Sequence, residues 1–363
     1  MYITQFRAHN YRNIAACTVD FLPGLNVLVG DNAQGKTNAL ESIYLFARGK
    51  SFRAVSDEEL VRFGETGFSC AIEFVNRERT QTLYYGYQDG QRTRKRNGVT
   101  LDRAAEMIGH FRAVLFCPDH LQLVKGAPQE RRGFLNVALS QTSPRYLQQY
   151  ADYVRLLNHR NCLLKQARKG LWYDPEELET WSRQLSVRAA ELHCQRAAFV
   201  KQIEGFAQKI LLDLSGGRET LTLSYDSEGR GETLEELTRS YQTLLTGNYR
   251  QEMAAGCSLY GVHRDDMGIA INGAPARVYA SQGQQRSVVL ALKMAEGEVS
   301  RECCGEYPVF LFDDVLSELD EGRRAYVFAD GGDKQFILTS CEGLSGKAHQ
   351  IQVEKGQYVS THR

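Results

Sequence analysis

Two glycines, a lysine and a threonine stand at fixed spacing between an apolar run and a helical pattern, an arrangement that can hold a phosphate. Leu25 to Val29 lead into Gly30-Asp31-Asn32-Ala33-Gln34-Gly35-Lys36-Thr37, with a helical pattern from Asn38 onward. The glycines let backbone N–H groups close round the β-phosphate, and the helix N-terminus adds a favourable dipole. Lys36 brings positive charge and Thr37 a hydroxyl suited to magnesium. ATP and Mg2+ are the expected ligands, with Gly30, Asp31, Asn32, Ala33, Gln34, Gly35, Lys36, Thr37 and Asn38 lining the site. A second stretch, Pro308 to Phe312 followed by Asp313 and Asp314, is an apolar strand ending in two carboxylates. On a Walker B reading, Asp313 holds the metal, directly or through a water, and Asp314 orients the attacking water. In a third, Ser281-Gln282-Gly283-Gln284-Gln285-Arg286 opens the apolar helix that continues Ser287-Val288-Val289-Leu290. A serine and a glycine there expose a hydroxyl and backbone N–H groups at a positive dipole end, which is a second phosphate site. The plainer reading is an N-capped helix start.

The elements around these motifs change texture along the chain. Up to about residue 118 the pattern is β-rich, with alternating runs such as FSCAIEFV and TLYYGYQ between charged turns. From about Gln129 it becomes helical. Leu178, Leu185, Leu192, Phe199 and Phe206 recur every seven residues, which keeps one stripe toward a partner helix. The +3 positions are Trp181, Arg188, Gln195, Gln202 and Lys209, so the stripe looks narrow and a short helical hairpin is expected. Its expected partner carries Tyr146, Tyr150, Tyr153, Leu157 and Leu164. From about Cys257 strand signals return, notably Val309-Phe310-Leu311-Phe312 and Phe336-Ile337-Leu338-Thr339. The expected architecture is α/β: an ATPase head from residues 1–118 and 257–363, interrupted by a helical arm at 119–256.

Composition works mainly by exclusion. In 363 residues, 44 basic side chains balance 44 acidic ones, so any nucleic-acid contact must come from a local patch. No apolar run reaches the length of a membrane span, and the start of the chain lacks a signal-peptide plan. Nine cysteines without a Cys-x-x-Cys pair suggest reduced thiols and a cytoplasmic protein.

The order of motifs and the long separation of Lys36 from Ser281 resemble ATP-binding-cassette ATPases of the SMC-like branch with a stunted arm. Within that branch the chain resembles the RecF family of bacterial recombination mediators over nearly its whole length. The resemblance is carried by FRAHNYRNI, GDNAQGKTNALESIYLFARGKSFR, FCPDHLQLVKGAPQERRGFLN, YVRLLNHRNCLLK, GVHRDD, SQGQQRSVVLALK and LFDDVLSELD. It implies ATP binding, an ATP-dependent homodimer, association with double-stranded DNA and single/double-strand junctions, and partnership with RecR and RecO to help load RecA. A nucleoid-associated cytoplasmic location follows, with no membrane partner. On that pattern Lys36, Asp313, Asp314 and Ser281 carry catalysis, and Ser281, Gly283 and Gln284 face the γ-phosphate held by the other subunit. Arg12 and Asn13 match family positions near the nucleotide, and Arg53 is a candidate for nucleotide or DNA contact. Ser317-Glu318-Leu319-Asp320 looks like the loop lining the same dimer interface. Asp314 stands where transporters use glutamate, and Thr339-Ser340 where a switch histidine often stands, so slow hydrolysis is expected. A valine in GVHRDD replaces the family's proline.

DNA could meet Arg92, Arg94, Lys95 and Arg96, or Arg131 and Arg132, or the series Arg155, His159, Arg160, Lys165, Arg168 and Lys169. Taken singly, each reads first as a solvated face. Trp172 and Trp181 read as packing residues of the hairpin, and His263 as either a structural or a site residue. Two rival functions are a transport or metabolic P-loop enzyme and a nucleotide-gated scaffold with negligible hydrolysis.

Overall fold

The computed structural model describes residues 1–315, 320–328, 333–343 and 348–361. The chain divides into two compact units. One comprises Met1–Leu121, Ile210–Gly217 and the chain from Arg286 on; the other comprises Gln122–Lys209 and Arg218–Gln285. Two features of this division differ from the boundaries expected at 118 and 257. The end of the long helix Pro175–Leu214 belongs to the first unit, and Ser281 to Gln285 belong to the second.

The first unit contains a six-stranded sheet in the order Gln357–Thr361, His349–Glu354, Leu25–Val29, Phe336–Ser340, Val309–Phe312, Ala113–Phe116. All neighbours are parallel except the terminal hairpin pair. Val27, Leu28, Phe310, Leu311, Ile337 and Leu338 are fully buried, which is why these strands read as unbroken apolar runs rather than alternating ones. The strand Phe336–Ser340 therefore lies between the strand that feeds the phosphate loop and the strand that ends in Asp313.

A second six-stranded sheet in this unit is antiparallel, ordered Ile14–Asp20, Tyr2–Tyr11, Gly67–Asn76, Arg79–Gln88, Gln91–Arg96, Val99–Thr100. Asn10 and Arg12 take left-handed backbone (φ 52° and 54°), which turns the first hairpin tightly at Arg12–Asn13.

In the second unit, the helices Pro144–Arg168 and Pro175–Leu214 run antiparallel. Gln195 bonds Gln149 and Arg196 bonds Tyr146 at one end, while Arg160 bonds Ser182 toward the other. The long helix has 40 residues, not the short hairpin arm expected. The companions of the seven-residue stripe stand at +4 rather than +3: Ser182, Ala189, Arg196 and Ile203 are buried, and Ile210 continues the series in the first unit. Small residues let the partner helix close on this face, and Arg196 is accepted there because Tyr146, Asn136 and the Val262 carbonyl take its N–H groups. Trp181 packs on this pair and stacks on His159 at 4.9 Å, whereas Trp172 is 84% exposed and packs nothing there, contrary to its expected role. A three-stranded sheet, Ala274–Pro275, Asp266–Ile271 and Leu221–Asp226, completes the unit. No helix among the described residues is long and apolar enough to cross a membrane, and all nine cysteines are free thiols.

Candidate active site

The helix Lys36–Arg48 begins on Gly35, whose φ of 115° is open to glycine and strained for any other residue. Ala33, at φ 64°, curls the loop so that it returns on itself. Lys36 lies 8% exposed and its Nζ donates to the carbonyls of Gly30 and Asp31, which holds the ammonium group over the loop. The hairpin His349–Thr361 buttresses the loop from one side. Tyr358 donates its hydroxyl proton to the Gly35 carbonyl at 2.9 Å, Gly356 N–H bonds the Gln34 carbonyl at 2.8 Å, and Lys355 N–H bonds Gln34 Oε1 at 2.6 Å. Local motif reading gave no signal for this hairpin, because its residues are more than three hundred positions away in sequence.

Thr37 Oγ1 donates to Asp313 Oδ1 at 2.9 Å, so the loop's last hydroxyl and the strand-end carboxylate meet as anticipated. Burial pushes the Asp313 carboxyl above its ordinary pKa, against the bonds from Thr37 and Thr339, which favour the ionised form. A hydroxyl and a carboxylate at the mouth of a phosphate loop are the hard oxygen donors that magnesium takes from proteins, its other positions going to phosphates and water. The residues therefore fit that ion. Thr339 and Ser340 lie within the strand Phe336–Ser340 rather than following it. Thr339 Oγ1 donates to Asp313 Oδ1 at 3.1 Å and accepts from Asp314 N–H at 2.7 Å. The position just beyond the strand is Cys341, whose thiol lies 3.8 Å from Lys36 Nζ and 3.2 Å from Asn32 Oδ1. Asp314 is exposed, at φ 53°, a backbone state that costs a non-glycine residue and is found at functional turns.

The Arg12–Asn13 turn and the segment after the helix also meet the loop. Asn13 donates to the Ala33 carbonyl at 3.3 Å and accepts from Asn38 at 2.8 Å. Arg53 Nη1 donates to Asn38 Oδ1 at 3.2 Å, and its charge acts on Asp313. Arg12 instead turns inward, its guanidinium bidentate on Glu41 at 3.0 and 3.1 Å. The structure thus brings Gly30 to Asn38, Asn13, Arg53, Asp313 and Asp314 together. Glu41 carried no sequence signal, and Thr339 stood out only as lying where a switch histidine often stands.

Ser281, in the second unit, is exposed at the start of the helix Gln282–Cys304. It forms a reciprocal cap: Gln284 N–H donates to Ser281 Oγ at 3.3 Å, and Ser281 N–H to Gln284 Oε1 at 2.8 Å. The amide of Gln284 also donates to Glu219 at 3.1 Å. Gly283 is half-buried beside them. Ser281 is thus a capped helix start whose residue is exposed. Ser317, Glu318 and Leu319 lie outside the described residues; Asp320 caps the next helix through Arg323 N–H at 2.8 Å.

Several residues read as candidate DNA contacts are committed internally. Arg160 is fully buried against Glu252, Ser182, Ser258 and the Leu245 carbonyl. Arg131 is bidentate on Asp266 at 2.7 Å, and Arg132 donates to the Asp265 carbonyl. Arg92 pairs with Asp57, and Arg96 bonds Gln81. Arg155, His159, Lys165, Arg168 and Lys169 remain exposed along one helical segment. His263 is structural: its ring bonds the Tyr153 hydroxyl at 2.6 Å and the Ser258 carbonyl at 3.1 Å, and burial drops its pKa to about 4.

The chain is similar to known proteins along nearly its whole length. The family described as RecF/RecN/SMC N terminal domain matches residues 2–345. A DNA replication and repair protein RecF of Staphylococcus epidermidis is 38% identical over 355 residues, covering 97% of this chain and 96% of its own. One from Desulfitobacterium hafniense is 38% identical over 361 residues, covering 98% and 99%. A solved structure of the recombination mediator RecF with ATP, described as part of the RecFOR pathway, superposes with a TM-score of 0.93 at 29% identity, covering 99% of this chain and 98% of that one. An Smc head bound to the C-terminal winged-helix domain of ScpA matches at TM-score 0.58 and 16% identity, and shows the same cassette-ATPase head fold.

Proposed function

We propose, since the chain belongs to the RecF family of DNA replication and repair proteins, that it is an ATP-dependent DNA-binding protein whose two copies close on ATP. The observation that carries this reading is the bond from Thr37 to Asp313 beside a lysine-bearing phosphate loop. Lys36 would exchange its two carbonyl partners for phosphate oxygens. Thr37 and Asp313 would hold Mg2+, which supplies charge neutralisation for the triphosphate when bound. Asp314 orients the attacking water, Arg53 faces the same mouth, and Ser281, Gly283 and Gln284 of the other copy complete the γ-phosphate site. The first unit is the ATPase head and the second the arm, carrying the signature segment at its end. Hydrolysis is slow, because a short carboxylate on a strained turn and a cysteine after the switch strand place the water less well than a glutamate and an imidazole would.

The closed dimer associates with double-stranded DNA at single/double-strand junctions, and works with RecR and RecO to help load RecA. The names of the relatives and the RecFOR description support this. Phosphate contacts by exposed arginines and lysines would make binding sequence-independent and strongly salt-dependent. Doubling a modest patch by dimerisation links DNA affinity to ATP without a basic chain. The test is the mass in solution with and without ATP and magnesium, repeated with gapped duplex. A monomer throughout would overturn the reading.

A further inference from the structure

Glu41 lies on the second turn of the phosphate-loop helix, fully buried, with both oxygens occupied. Oε2 accepts from Arg12 Nε at 3.1 Å; Oε1 accepts from Arg12 Nη2 at 3.0 Å and from Ser51 Oγ at 2.5 Å. Ser51, itself 6% exposed, then accepts at Oγ from the backbone N–H groups of Arg53 and Ala54, each at 2.9 Å. Arg53 reaches Asn38 at 3.2 Å, Asn38 reaches Asn13 at 2.8 Å, and Asn13 is the chain neighbour of Arg12. The path returns to its start. Three chain segments, 12–13, 38–41 and 51–53, are closed into one hydrogen-bonded ring whose only buried carboxylate is Glu41, and whose outer arc carries the groups that face the phosphate loop.

We infer that Glu41 is a positioning residue for ATP turnover: through Ser51 it fixes the backbone that aims Arg53 at the loop mouth, and through Arg12 it fixes the turn that presents Asn13. An ion pair on a buried carboxylate can serve structure alone, but this pair contributes in addition a direction. The Ser51 hydroxyl has one proton and gives it to Glu41, which leaves its lone pairs for two consecutive N–H groups; this sets the start of the Arg53 side chain. The ring geometry cannot be kept by a neutral amide, whose N–H₂ would oppose an Arg12 N–H in either orientation and the Ser51 proton as well in one of them.

The inference rests on the ATP reading above, and the experiment separates the two. Single-turnover ATP hydrolysis, normalised to titrated active sites, is compared for the parent, Glu41→Gln, Arg53→Ala and the double variant. If Glu41 acts through the ring, each single change slows the step by about tenfold and the double variant is slower than Arg53→Ala by well under tenfold, because only the Asn13 route is left for Glu41→Gln to remove. Losses that multiply would overturn the inference, since a purely structural role adds independently. Ser51→Ala opens the same ring while leaving the Arg12 pair intact, and is expected to show the same non-additivity even if Glu41→Gln folds poorly. Failure of the parent to bind a fluorescent ATP analogue would overturn the ATP reading and this inference with it. Normal parental binding with multiplicative losses would overturn the inference alone.

Discussion

Gly30→Ala should damage the nucleotide site although the backbone at Gly30 is open to any residue. Gly30 is absent from the left-handed positions, so conformational strain does not require glycine there. Space does: a Cβ would lie 2.2 Å from the Val353 carbonyl oxygen and 3.2 Å from its carbon. Comfortable contact needs about 3.5 Å, so strand His349–Glu354 would have to retreat by roughly 1 Å. That strand is paired in register with the loop strand, His349 opposite Asn26 through Gln352 opposite Val29. Its hairpin carries Lys355, Gly356 and Tyr358, which bond Gln34 and Gly35. Overpacking of this kind costs about 1–3 kcal/mol, which for a unit of this size lowers Tm by about 2–4 °C per kcal/mol. Calorimetry with and without ATP should show a Tm loss of roughly 2–12 °C and a smaller ATP-induced rise than in the parent. Gly64→Ala serves as the control, since it has left-handed backbone but open space, and should leave the ATP response unchanged. Indistinguishable Tm and ATP response in Gly30→Ala and parent would refute the argument from the Val353 contact.

Thr37→Val removes one of two protein oxygens expected at the magnesium, and should raise the magnesium concentration needed for half-maximal turnover about tenfold or more while metal-free ATP binding persists; an unchanged magnesium titration would count against the assignment. Asp314→Asn should trap the ATP dimer on a sizing column, whereas unchanged dimer lifetime would favour a scaffold that does not use hydrolysis. Ser281→Arg, placed at an exposed helix start, should abolish ATP-driven dimerisation and spare ATP binding; equal dimer fractions in sedimentation with ATP would refute it. Burial lowers His263 to about 4 and raises Asp265 to about 6, and the signs oppose. As pH falls toward 4 the native state is penalised for leaving His263 neutral and relieved by protonating Asp265, so the pair nearly cancels. His263→Gln removes the penalty alone, and its urea stability should rise relative to the parent's by up to about 2 kcal/mol between about pH 6.5 and 4.5; parallel profiles would refute this.

The phosphate loop, the strand ending in Asp313 and the capped start at Ser281 were legible because each is a short continuous run whose chemistry depends on neighbours in sequence. The parallel strands were legible for the same reason, as apolar runs buried on both faces. What escaped notice joins distant segments. Thr339 was read only as a missing histidine, yet it ties the Asp313 carboxylate and the Asp314 backbone N–H to the central strand. Arg160 counted as exposed charge because its partner Glu252 stands 92 positions away. The heptad companions were sought at +3, where Trp181, Arg188, Gln195 and Gln202 are only half-buried, while Ser182 and Ala189 at +4 are fully buried and carry the contact through smallness rather than hydrophobicity.

The tyrosine that closes on the phosphate loop is synthesised 323 residues after the glycine it bonds. At ribosomal speeds of about 5–20 residues per second, the loop spends roughly 15–60 s without its support. During that interval the loop lacks the bonds from Lys355, Gly356 and Tyr358. A product stalled or clipped before the last hairpin would therefore carry the motif without the buttress that sets its shape.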